Sequence, residues 1–76
     1  MVFNYVQQTI AGIINIDKPK DIGLDFSFIS NSKMNEDEFY EMLEQLEEEM
    51  QLHLVDCAWR FENVKQLVDY INGKHK

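Results

Sequence analysis

The side chains best suited to chemistry are few. Cys57 is the sole cysteine, and His53 lies four positions before it. A thiol and an imidazole at that spacing can share a helical face, as a nucleophile with its base or as half of a metal set. Neither arrangement is completed. There is no second cysteine or close histidine to supply the further ligands zinc needs, and His75 lies far along the chain. No acid is clearly placed to orient His53. Cys57 is therefore read as a buried structural residue. A calcium loop of the D-x-D-x-D-G type is also absent. No metal site and no enzymatic activity are expected.

The abundant chemical group is the carboxylate. Eight of the 14 acidic residues lie between Glu36 and Glu49, and no Lys or Arg occurs between Lys33 and Arg60. The net charge of −7 is thus concentrated on one stretch. Phosphate binding needs clustered Lys and Arg, so nucleic acid is excluded as the expected partner. A basic protein surface suits this charge better.

An element must position these carboxylates. Phe39, Leu43, Leu46 and Met50 recur at helical steps, and Asp37, Glu41, Glu44 and Glu48 recur at the same steps on the opposite side. The spacing predicts a helix over 35–52 with Asn35 as its cap. Phe3, Val6, Ile10 and Ile13 predict an earlier helix over 2–15. Val64, Leu67, Val68 and Ile71 predict a last one over 63–72, capped by Asn63 and stopped by Gly73. A short turn through Cys57, Ala58 and Trp59, capped by Asp56, is expected before it.

The long connection over 15–34 contains Pro19 and Gly23. Leu24, Phe26, Phe28 and Ile29 are expected to anchor it between the helices. The predicted core is Phe3, Val6, Ile10, Ile13, Phe28, Leu43, Leu46, Met50, Leu54, Val64, Leu67 and Ile71. Trp59 and Phe61 are expected in the core or as a lid, or else filling a cleft between helices. At 76 residues the chain predicts a single all-α domain over 1–76: three main helices plus one short helix, with the long loop between the first two. A core this small gives marginal stability. The N-terminal stretch has no basic n-region and no long apolar run, so neither a signal peptide nor a membrane span is expected. The lone cysteine fits a reducing compartment, and a cytoplasmic location is expected.

Three motifs, in order, carry a resemblance. Ser27-Phe28-Ile29, Leu46-Glu47-Glu48-Glu49-Met50, and Asn63-Val64 followed by Asp69-Tyr70-Ile71-Asn72-Gly73 are similar to the "SF[VI]", "LEEEF" and "TTV…DYING" of acyl carrier proteins. The match runs without a gap from Ser27 to Met50 and with one residue fewer afterwards. It covers nearly the whole chain and is weakest before Leu24. The resemblance implies an acyl-carrier-like bundle. It also implies that Glu41, Glu47 and Glu48 occupy positions that face basic patches on partner enzymes.

The family joins 4′-phosphopantetheine to the serine of a "DSL" motif through a phosphodiester. Those positions are Asn35-Glu36-Asp37 here, and Glu36 has no hydroxyl to form that bond. The expectation is a carrier-like module with no attached cofactor. It would dock on, or regulate, a synthase, ligase or transferase of fatty-acid, polyketide or related thiotemplate metabolism. Glu41, Glu44, Glu47 and Glu48 would make the contact. The alternative is a working carrier with 4′-phosphopantetheine on Ser32, should Asn31-Ser32-Lys33 serve as the motif one turn earlier.

Overall fold

The computed structural model describes residues 2–29 and 33–74. It is an all-α bundle of three main helices: α1 (Val2–Ile14), α2 (Glu36–Met50) and α3 (Val64–Lys74). Short 3-10 turns cover Pro19–Asp21 and Val55–Arg60. Helix α1 packs against both α2 and α3, and the second 3-10 turn leans on α2. No strand forms among the described residues; one isolated antiparallel bridge joins Ser27 to Asn63.

The helix ends follow from local chemistry. Asn15 and Gln51 adopt left-handed backbone (φ 61° and 57°) and turn the chain out of α1 and α2. Beyond each, a backbone N–H reaches back over the last turn, Ile16 to the Ala11 carbonyl (3.0 Å) and Leu52 to that of Glu47 (3.4 Å). At its start α2 carries a full capping box. The Glu38 N–H donates to Asn35 Oδ1 (2.8 Å), and the Asn35 N–H donates to Glu38 Oε1 (3.0 Å). Asn63 caps α3 by accepting the Gln66 N–H at 2.9 Å, as the sequence predicts.

Gly73 does not stop α3, which runs on to Lys74. No glycine adopts a positive φ among the described residues. The Lys74 ammonium instead lies 5.5 Å from the centre of the Tyr70 ring, one turn back.

Val6, Ile10, Leu43, Leu46, Leu54, Val64, Leu67 and Ile71 are buried as expected. Phe3, Ile13, Phe28 and Met50 pack only partly buried around them. The core also takes Ile22, Met34, Met42 and Phe61, and it is Ile22 rather than Leu24 that plugs the long loop into it. The buried Gln7 donates to the Ile22 carbonyl at 2.7 Å, which holds the loop on α1. Further on, the Leu24 and Phe26 carbonyls accept the Lys65 and Val64 N–H groups (2.9 and 3.0 Å). The loop backbone thereby satisfies the free donors at the start of α3.

Candidate functional site

Helix α2 carries its acids outward along its whole length. Glu36, Asp37, Glu41, Glu44 and Glu48 are all exposed on it. The apolar stripe of α2 faces the core, so the carboxylates necessarily face outward. Glu47 differs. It is half-buried, and its Oε2 accepts the N–H groups of Leu54 (2.6 Å) and Val55 (2.8 Å). It ties α2 to the 3-10 turn that follows. Glu47 thus supplies the capping that the sequence suggested for Asp56; no side chain of the turn's own segment caps it.

The acidic field reaches across to α1. The Tyr5 hydroxyl is pushed above its ordinary range, first by desolvation, then by the charge of Glu49 and a hydrogen bond to it, and by Glu48.

Glu36, the residue that the resemblance would set at the attachment position, is exposed. Its neighbour Asn35 is occupied in the capping box. Ser32 lies outside the described residues.

An open groove of about 290 Å³ begins beside Glu36. Phe28, Ile29, Phe39, Tyr40, Val55, Ala58, Trp59 and Phe61 complete its lining. Phe28 and Phe39 pack with ring centres 4.9 Å apart, and Phe39 and Tyr40 at 5.6 Å, so one wall is a run of aromatic rings. Phe61 is buried, as expected for a core residue. Trp59 is 81% exposed and is neither core nor filling. It stands at the side of a groove that stays open. Ile29, expected from the sequence to anchor the loop between the helices, is 71% exposed instead. The sequence offers no more for this groove than that Ile29 and Trp59 are apolar residues off the helical stripes.

The thiol and imidazole do not form a pair. Cys57 is half-buried, and its Sγ lies 3.6 Å from the Leu54 carbonyl and 3.8 Å from that of His53. The contact to His53 is thus to backbone, and this short helical turn is what brings it about. Tyr70 is also pushed above its ordinary range, chiefly by its hydrogen bond to Cys57, then by desolvation and the Cys57 charge, with Arg60 opposing. Among the described residues no group of His, Cys, Asp and Glu is arranged to hold a metal ion. Nor is any helix among them long and apolar enough to cross a membrane.

No protein-family model matches the chain, and no curated protein matches it significantly.

Proposed function

We propose that this protein is a carrier-like docking module that bears no prosthetic arm. It would meet a basic patch on a synthase, ligase or transferase of fatty-acid, polyketide or related thiotemplate metabolism, in the cytoplasm. The observation that carries the reading is the pair Glu36 and Asp37. Both are exposed in the first turn of a well-capped α2, in the register where the resembled family has its serine and leucine. A carboxylate there cannot attack the pyrophosphate of coenzyme A to make a phosphodiester. It can accept a Lys or Arg, and Glu41, Glu44 and Glu48 extend the same charge along the helix.

The test is intact mass after incubation with coenzyme A and a broad-specificity phosphopantetheinyl transferase. The expected result is no added mass, while a genuine carrier in the same reaction gains one arm. The double variant Glu36→Ser, Asp37→Leu should gain some modification. An arm on the unmutated chain, mapped to Ser32 and lost in Ser32→Ala, would overturn the reading in favour of a working carrier.

A further inference from the structure

Singly exposed apolar residues are ordinary on a protein surface, but a cluster of them beside an apolar groove marks a contact site. Trp59 is 81% exposed and Ile29 71%, and both line the groove that opens next to Glu36. Trp is among the residues that most often anchor interfaces.

Charge decides between the occupants the groove could accept. A fatty acid or other anionic ligand would bring its head group to the Glu36 carboxylate and be repelled. A second copy of this chain would bring a second acidic α2 against the first, since eight carboxylates lie between Glu36 and Glu49. A basic helix meets no such penalty. Arg60 stands at the edge of the groove: its guanidinium lies 5.9 Å from the Trp59 ring centre and 5.7 Å from that of Tyr70. It lines the adjoining hollow with Gln66 and Asp69 and is not part of the groove lining, where Glu36 is the one charged side chain among the described residues. Size fits as well. A cavity of about 150 Å³ holds a benzene, and this groove measures about 290 Å³. That is room for one large apolar side chain and its neighbours.

We infer that the groove receives an apolar side chain from a basic amphipathic helix of a partner protein, with a Lys or Arg of that helix set on Glu36. The inference rests on the docking reading above and adds the form and chemistry of the partner.

Trp59 is the only tryptophan, so its emission reports occupancy of the groove directly. The probe is a Trp-free amphipathic peptide of about 15 residues, long enough to sustain a helix. It has a Leu and Phe stripe flanked by Lys, and its counterpart replaces every Lys with Glu. The basic peptide should bind the full chain with a saturable blue shift of Trp59 emission. The acidic counterpart should bind at least ~10-fold more weakly, because like charges oppose it. Glu36→Lys should narrow that preference by weakening the basic peptide, and Trp59→Ala should weaken the basic peptide in calorimetry.

Equal binding of both peptides would overturn the inference. So would binding that leaves Trp59 emission unchanged, or a blue shift given by decanoate in place of the peptide. Two further results separate this inference from the reading beneath it. Binding lost in Glu44→Lys but kept in Glu36→Lys rejects the groove and leaves the acidic face standing. An arm gained in the mass test rejects the armless reading, while the peptides still judge the groove.

Discussion

Glu47 belongs to the same run of acids as Glu48, yet the two side chains do different work. The Glu47 carboxylate holds the Leu54 and Val55 N–H groups, so a partner's Lys could claim it only by competing with that latch. Glu41, Glu44 and Glu48 are exposed and carry no such latch, so the proposed docking would fall to them. Glu47→Ala should destabilise by about 1–3 kcal/mol, because it leaves two part-buried donors without their acceptor. Glu48→Ala should stay within ~0.5 kcal/mol, the usual range for a surface change. Urea unfolding of the two variants distinguishes them, and equal losses would show that Glu47 is only another surface acid. Tyr5 gives a second residue-level test. Its folded-state pKa lies above its ordinary value, so the folded state holds the phenolic proton more tightly than the unfolded chain does. The matching stability is present below the unfolded value of about 10 and is lost as pH rises through the folded one. Tyr5→Phe should therefore flatten the alkaline fall in melting temperature, and an unchanged profile would deny the coupling to Glu49.

The helices were legible because their information is local and periodic. Steps of three and four place Leu43, Leu46, Leu67 and Ile71 inward, and Asn35 and Asn63 are recognisable caps; all six do what their positions imply. Leu46 is fully buried, so Leu46→Ala should cost about 2–5 kcal/mol, read by chemical denaturation. What sequence could not rank were residues whose fate depends on a distant element. Ile22 is buried while Leu24 is not, because the Gln7 amide takes the Ile22 carbonyl and fixes which loop residue turns inward. Trp59 stands outward while Phe61 turns inward, next to Tyr70 at 5.3 Å between ring centres. The candidate groove depends on that same choice, which no periodicity encodes. Gly73 misled because glycine both ends helices and tolerates being inside them. Gly12 lies within α1 in the same way, and a Cβ there would meet nothing within 4 Å. Gly12→Ala should therefore stabilise by about 0.5–1 kcal/mol, seen as a rise in melting temperature; a loss would mean that α1 is strained at that point.

For the molecule as a whole, the acidic face is a standing cost to folding. Like charges three and four residues apart on a helix destabilise it by roughly 0.2–0.5 kcal/mol per pair. Glu44 has Glu41, Glu47 and Glu48 at those spacings. The Lys65–Asp69 pair at 2.9 Å is on α3, away from this cluster, and both side chains are more than 60% exposed, so it offsets little of the repulsion. Raising salt from about 0.01 M to about 1 M shortens the screening length from ~30 Å to ~3 Å. Folding should then become more stable, since the dominant surface interaction on α2 is repulsive. Docking should respond with the opposite sign. The same screening removes the attraction between the carboxylates and a basic helix, so the Lys-flanked peptide should bind more weakly at high salt. Glu44→Lys ties the two effects together. It should raise the melting temperature slightly at low salt, flatten its salt dependence and weaken the peptide. Melting curves and peptide titrations at both salt levels read all of this on one set of samples. If instead salt lowered both stability and binding, attraction within α2 would outweigh repulsion, and the acidic face would be a folding device rather than a surface held ready for a partner.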